Sequence, residues 1–514
     1  MKRYFLGIDI GTFESRGILI DESFRVAADA SVPHGMDNPQ PGWFEQEAEA
    51  VWWGDLCKLC RILIKQSGIR PEQIACVGTS ALGTDCLPVD EQCRPLRPAI
   101  LYGIDARASE EAAWLTEHYG QARVQELFGH PICSGDTATK ILWLRRHEPE
   151  IYAKTAYFLT GSSFLTARLT GKYVIDQALA KGSFRPLYQA DGSVNEAECG
   201  LYCRPDQIAA CAWSTDIVGT VTPEAAAQTG LAAGTPVITG TGDSTAEAIS
   251  VGLVEPGTAF FQYGSSMFYY YCTDHFVGSY VSPQGNGALK GGKAFTVPGT
   301  YCLGDGTNAA GTLTRWVRDL LYSKELDAEK QGGENAYAVM AREAAAVPPG
   351  SDGLIMLPYI YGERSPLQDA EATGMLFGLK GTHGRAQINR AALEAVGYST
   401  YQHLLLFEEL GVPPRRIITA GGGTKNAAWM QIICDMAGMP LTIPEPFQCS
   451  SYGDAMLAAL GVGALESFAA LRAALPQGKI LQPDRKNHKF YQEHYPIFRD
   501  LYLENRDRMH RMQK

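Results

Sequence analysis

Two hairpin-like stretches, half a chain length apart, limit what this chain can fold into. Phe5-Leu6-Gly7-Ile8-Asp9-Ile10 is an apolar strand, Gly11-Thr12 a turn, and Gly17-Ile18-Leu19-Ile20 a returning apolar strand. Thr258 to Tyr263, Gly264-Ser265 and Met267 to Tyr270 repeat the scheme, and the two turn glycines are separated by about half of the 514 residues. Gly beside Ser or Thr is common turn chemistry, so one such hairpin says little. Two at this spacing predict a duplicated α/β domain. The rest of the chain alternates between helical periodicity and short apolar runs. Helices are expected over 45–66, 138–148, 385–411 and 425–437, and strands over 74–78, 236–239 and 417–420. Such alternation favours an α/β fold over separate all-α and all-β parts. The boundary is expected within 245–257, near Glu255-Pro256-Gly257, giving domains 1–248 and 249–514.

Charge narrows the partners. With 45 basic and 56 acidic residues the net charge is −11, which argues against nucleic acid. It does not exclude a phosphate ligand, because backbone N–H groups and Mg2+ hold phosphates without net positive charge. Nothing approaches 18 uninterrupted apolar residues and the start of the chain has no signal core, so the expectation is a cytoplasmic protein with no membrane segment. The 13 cysteines are read as reduced thiols. Cys57 and Cys60 fall in a helical stripe with Trp52, Leu56, Leu59 and Leu63, and no second pair at zinc spacing follows. The histidines of the C-terminal tail lack metal spacing too, and that tail reads as a packed helix.

Three positions invite chemistry. Asp9 interrupts an apolar strand, where a carboxylate is costly unless a metal or several donors satisfy it; the other reading is a strand-end aspartate capping its own turn. Asp243 sits where Pro236-Val237-Ile238-Thr239 runs through Gly240-Thr241-Gly242 into a helix. It is either a helix N-cap or a general base at the carboxyl end of a strand. Gly421-Gly422-Gly423-Thr424-Lys425-Asn426 lies between a strand and a helix, suited to a ligand on the backbone or to a plain tight turn. Other nucleotide signatures fail. No G-x-G-x-x-G follows the first strand. Gly287 to Ala294 nearly matches a P-loop, but Ala294 stands where Ser or Thr must reach Mg2+. No G-x-S-x-G or H-E-x-x-H occurs.

Gly7-Ile8-Asp9-Ile10-Gly11-Thr12 with Ser15-Arg16 resembles the opening of the FGGY carbohydrate kinases. The resemblance extends through Pro95-Leu96-Arg97-Pro98-Ala99-Ile100 with Asp105 and Arg107, Leu169-Thr170-Gly171, Gly242-Asp243, Gly362-Glu363-Arg364-Ser365-Pro366 and Gly421 to Asn426, over nearly the whole chain. It implies two ribonuclease H-like lobes of the actin-like ATPase type with an interlobe active-site cleft, and an enzyme that phosphorylates a sugar with ATP and Mg2+. It places Asp9 near Mg2+ and the phosphoryl group, with Thr12, Ser15 and Arg16 around the phosphates. Asp243 becomes the general base. Gly264 and Ser265 face the ATP phosphates from the second hairpin, and Gly311, Gly422 and Asn426 lie along the nucleotide. Arg315 stands where glycerol kinases often carry Gln.

The departures bear on the substrate. Where glycerol kinases clamp glycerol with an Arg-Glu pair, this chain has Leu82 and Gly83. Where bacterial xylulokinases carry Met-His it has Gly83-Thr84, and Gly103 replaces a frequent Trp. Three small residues imply a roomier sugar pocket unless neighbouring groups refill it. Pro41-Gly42-Trp43-Phe44-Glu45 resembles the xylulokinase-like branch, so the expected substrate is a ketose such as D-xylulose or a related polyol. Gly83, Thr84, Asp105 and Asp243 are the expected sugar contacts, with Asp85 and Asp136 as further candidates. A kinase for ribulose, gluconate or erythritol, or a non-catalytic actin-like sugar sensor, is the alternative. A homodimer stays open.

Overall fold

The computed structural model describes residues 2–445 and 449–513, in two compact units. The first holds residues 2–254, 293–301 and 449–475; the second holds 255–292, 302–445 and 476–513. The expected cut after residue 248 is simpler than this division, because two stretches of the C-terminal half belong with the first unit.

The first unit is built on a seven-stranded sheet. Its strands run in the order Ile217–Thr220, Pro236–Ile238, Ile74–Ala81, Tyr4–Ile10, Glu14–Asp21 and Val26–Pro33, and Thr241–Gly242 also pairs with Ile74–Ala81. Tyr4–Ile10 is antiparallel to Glu14–Asp21 and parallel to Ile74–Ala81, which sets Asp9 beside Ser80. The central strands Tyr4–Ile10 and Ile74–Ala81 are covered on both faces and buried along nearly their whole length, whereas the edge strand Val26–Pro33 is largely exposed. Helix Gly54–Ser67 covers one face with Leu56, Leu59, Cys60 and Leu63. All thirteen cysteines are free thiols.

Helix Ser450–Gly461 covers the opposite face, and it does so backbone against backbone. A Cβ on Gly7 would lie 1.8 Å from the Ser451 carbonyl oxygen, and one on Gly453 would lie 1.9 Å from that of Ala246 in helix Asp243–Ser250. No side chain fits at either place.

The helix expected over 45–66 is shorter than its periodicity suggests. Glu45–Gln46 instead pairs with Ala99–Ile100, a π-helical turn spans Ala48–Trp53, and the regular helix begins at Gly54. Polar contacts override the pattern: Gln46 donates to the Thr12 carbonyl at 2.9 Å and accepts from the Trp52 indole at 2.8 Å.

The second unit repeats the pairing of the first. Thr258–Tyr263 is antiparallel to Met267–Thr273 and parallel to Arg416–Ala420, as Tyr4–Ile10 is to its own neighbours. Tyr301–Gly306 lies beyond Met267–Thr273, and Leu441–Ile443 and Lys479–Leu481 extend the other edge. Helix Arg385–Glu409 is buried almost all round. The terminal helix Arg485–Met512 packs through Tyr491, Tyr495, Phe498 and Tyr502. Among the described residues no helix is long and apolar enough to cross a membrane.

The close helix–strand approach gives a direct expectation. Gly7→Ala and Gly453→Ala should each cost about 3 kcal/mol or more of unfolding free energy, at the upper end of overpacking. Gly200→Ala should change little, since nothing lies within 4 Å of a Cβ there. Urea unfolding of the three variants checks this.

Candidate active site

At the carboxyl ends of the first unit's parallel strands, side chains gather that an apolar core would reject. Asp9 closes the first strand, Ser80 lies beside it, Asp243 opens helix Asp243–Ser250, and Asp454 reaches in from helix Ser450–Gly461. Open α/β sheets bind ligands at this edge. The Ser80 hydroxyl lies 2.8 Å from Asp9 Oδ1 and 2.7 Å from Asp454 Oδ2. Asp9 is half-buried. Its carboxyl is pushed up to about 8, first by burial and then by the negative field of Asp243, with bonds from Ser80 and Ser450 partly opposing the rise. Asp454 is fully buried and is raised well above the usual range by burial and by the Asp9 charge. Asp243 is also raised by burial, against bonds to its Oδ1 from the Ser244 amide at 2.6 Å and hydroxyl at 3.0 Å, and against the Lys293 charge. It is the first residue of its helix rather than the cap, a position where the helix dipole favours an anion.

The loop Leu82-Gly83-Thr84-Asp85 borders Asp243. A Cβ on Gly242 would stand 3.6 Å from the Gly83 Cα and 3.3 Å from Leu179. Leu179 also lies 3.2 Å from where a Gly83 Cβ would be, so it refills the space that a large residue at 83 would take. At Gly103 nothing lies within 4 Å of the Cβ position, and there the space is open. The neighbouring Tyr102 pairs its hydroxyl with Thr12 Oγ1 at 3.2 Å and feels the charges of Asp243 and Asp85. Tyr102 carries no motif and sequence reasoning missed it.

Under the loop lies a buried pair. Lys140 is fully buried and donates to the carbonyls of Thr84 at 2.6 Å and Gly135 at 3.1 Å. Asp85 is equally buried, and neither of its oxygens has a hydrogen-bond partner. Burial drives Asp85 up and Lys140 down, each opposed by the charge of the other.

Two expected contacts are not brought here. Ser15 points into the core, fully buried, and its hydroxyl donates to Asp55 at 3.0 Å, because strand alternation sends it inward while Arg16 stays partly exposed. Asp105 is consumed by Arg107, which binds it through Nε at 2.9 Å and Nη2 at 2.8 Å, and by the Phe44 amide at 2.6 Å. It is part of a buried ion-pair network with Glu45 and Arg97, over which Trp43 and Trp143 stack, and has no capacity left for a sugar.

In the second unit Gly264, Ser265, Gly311, Gly422 and Asn426 all line one cavity of about 470 Å3. The second hairpin turn is pinned to the start of helix Gly311–Leu321: Gly264 O accepts the Gly311 amide at 2.9 Å, and Ser265 O accepts those of Ala310 and Thr312 at 3.0 and 2.9 Å. Gly421, at φ 93°, passes against the Tyr263 backbone, and Asn426 Oδ1 caps the following helix through the Trp429 amide at 3.1 Å. Arg315 and the apolar Met340, Ala341 and Leu393 are among the other residues of the wall. The last three come from helices Ala336–Ala346 and Arg385–Glu409, where nothing in the sequence separates a cavity wall from core.

The sheet of each unit opens on a hairpin, the architecture of the actin-like ATPase fold. The chain belongs to the FGGY family of carbohydrate kinases: the model of the family's N-terminal domain matches residues 4–250 and that of its C-terminal domain 263–462. Kinases of this family use ATP. A xylulose kinase of Escherichia coli is 29% identical over 97% of this chain and 98% of its own length. A gluconokinase of Bacillus subtilis is 29% identical over 98% of this chain and 96% of its own. The crystal structure of a xylulose kinase from Rhodospirillum rubrum superposes with a TM-score of 0.88 at 28% identity, covering 99% of this chain and all of that one.

The pair beneath the loop predicts coupled stabilities. Lys140→Met should destabilise the protein by about 3 kcal/mol, the cost of leaving one buried partner uncompensated. Asp85→Asn should recover part of that loss in the Lys140→Met background but not in the wild type, a double-mutant cycle read by thermal unfolding.

Proposed function

We propose that this carbohydrate kinase transfers the γ-phosphoryl group of ATP to a hydroxyl of a ketose, D-xylulose or a related ketose or polyol, with Asp243 as general base. The observation that carries the reading is Asp243 itself. It is a half-buried carboxylate whose proton affinity burial has raised, held through Oδ1 by Ser244, beside the Gly83 loop. A base nearer neutrality takes the acceptor's proton more effectively as the new bond forms. Gly83, Thr84 and Tyr102 border the acceptor, and Thr12 and Arg16 attend the phosphates from the first hairpin. Gly264, Ser265, Gly311, Gly422 and Asn426 hold the nucleotide, with Met340, Ala341 and Leu393 against its base.

Phosphoryl transfer depends on alignment and charge neutralisation more than on covalent chemistry. Mg2+ fits the first unit's donor set. Asp9 offers a partly exposed carboxylate in the negative field of Asp243, a setting that favours a cation, and Mg2+ is commonly held by one or two carboxylates with phosphate oxygens and water. Asp9 would hold the ion, which when bound neutralises phosphate charge.

A gluconokinase and a xylulose kinase match at equal identity, so an aldonic acid is the second reading. ADP release over ketopentoses, ketohexoses, polyols and gluconate separates them. Turnover is expected on D-xylulose or another ketose. Turnover on gluconate alone selects the second reading, and none on any sugar with ATP binding intact overturns both. Asp243→Asn is expected to lower kcat by about 10²–10⁴-fold while retaining ATP affinity.

A further inference from the structure

A cation that the proposed chemistry leaves unused lies beneath the loop that borders Asp243. Lys140, in helix Thr137–His147, is fully buried, a rare place for a lysine unless its charge is answered and its protons are taken. The Asp85 charge favours the ammonium. The protons go elsewhere. Nζ donates to the Thr84 carbonyl at 2.6 Å and to the Gly135 carbonyl at 3.1 Å, while neither Asp85 oxygen has a hydrogen-bond partner. Asp85 therefore acts as a counter-charge, and the ammonium gives its bonds to two loops.

Both loops belong to the surroundings of Asp243. Thr84 follows Gly83, whose Cα stands 3.6 Å from where a Gly242 Cβ would be. Gly83 has no side chain with which to hold that distance, so the loop depends on its backbone anchors. Gly135 sits in the turn 133–136, where Asp136 Oδ2 accepts the Cys133 amide at 2.9 Å. A Cβ on Gly135 would lie 2.9 Å from the Gly103 Cα, so this turn presses on the segment that carries Tyr102. The anchor itself is rigid, since Thr137 through Leu144 of its helix are all buried. Bonds from a charged donor are also stronger than those between neutral groups. One ammonium thus joins the chain at 84 to the chain at 135, and through the latter to Gly103.

We propose that Lys140 is a positioning residue for the sugar: by holding the Thr84 and Gly135 carbonyls on one ammonium it fixes the 82–85 loop and the 133–136 turn, and with them the place of the acceptor hydroxyl beside Asp243. The kinetic part rests on the reading of Asp243 and the Gly83 loop as the sugar site; the tie between the loops does not. A buried residue that served stability alone would be replaceable by any change that restores the charge balance. A positioning residue is not, because the two carbonyls still lack their donor.

The double variant Lys140→Met/Asp85→Asn separates the two roles, since it removes the uncompensated charge and leaves both carbonyls without the ammonium. Hydrogen exchange without substrates is expected to be faster than in wild type over peptides covering 82–86 and 133–136, and unchanged over those of the nucleotide cavity. On whichever sugar is turned over, the KM for sugar is expected to rise about tenfold or more, because misplacing a reactant by about 1 Å costs up to about 10²-fold. The KM for ATP should stay unchanged. Stability should return toward wild type relative to Lys140→Met, while the sugar KM should not. If Lys140→Met does not fold, the double variant is read against wild type alone. Unchanged exchange in both loops overturns the proposal, as does a sugar KM in the double variant that equals that of wild type or rises only in step with the KM for ATP. Absence of turnover on every sugar, with exchange faster in the two loops, overturns the kinase assignment and not the tie.

Discussion

The Ser451 carbonyl passes so close to Gly7 that a methyl group there would overlap it, and Gly453 meets the Ala246 carbonyl in the same way. Through these two contacts helix Ser450–Gly461 rests with its backbone against the first strand and against the helix that begins at Asp243. Everything at the strand ends depends on that approach. With side chains in between, Asp454 would sit several ångströms further from Ser80, and the carboxyls of Asp9 and Asp243 would face more water. Glycine is abundant in the chain, 54 residues in all, and part of that surplus brings main chains together rather than making turns.

Burial at that edge then sets the electrostatics. Asp9, Asp85, Asp243 and Asp454 all hold protons more tightly than exposed aspartates, with desolvation the leading cause in each. Gathering such groups costs stability, and perturbed carboxyls in one place are a mark of function. Lys140 and Lys293 supply the opposing charge. On the proposed reading, an acceptor hydroxyl entering beside Asp243 would find a carboxyl whose proton affinity burial has raised, held through one oxygen.

What could be read from sequence was local. The two hairpins, Asp9, Asp243 and the Gly421-Gly422-Gly423 turn announce themselves because turn chemistry and an acid in an apolar strand need no distant partner to be noticed. The five positions expected to lie along the nucleotide line one cavity in the second unit. Ser15 and Asp105 were misplaced because a motif supplies positions without directions. Strand alternation turns Ser15 into the core, and Arg107 saturates Asp105. Asp454 was illegible, since its partner Ser80 is 374 residues away and a single acid in an apolar helix has no pattern. The return of residues 449–475 to the first unit was equally hidden, because an apolar helix looks the same whichever sheet it covers.

The central claim is that a burial-lifted carboxylate at residue 243 takes the acceptor's proton, and the pH dependence of kcat/KM tests it most directly. Asp243 works as the ionised form, so the rate is full above its raised pKa and falls as pH drops through it. Asp9, Asp85 and Asp454 lie close enough to feel its charge, while Lys293 and Ser244 act to keep it ionised. The predicted acid limb therefore has its midpoint above the ordinary aspartate value of about 3.9, and it disappears with the activity in Asp243→Asn. A limb at or below that value, or one that persists unchanged in Asp243→Asn, would contradict the account.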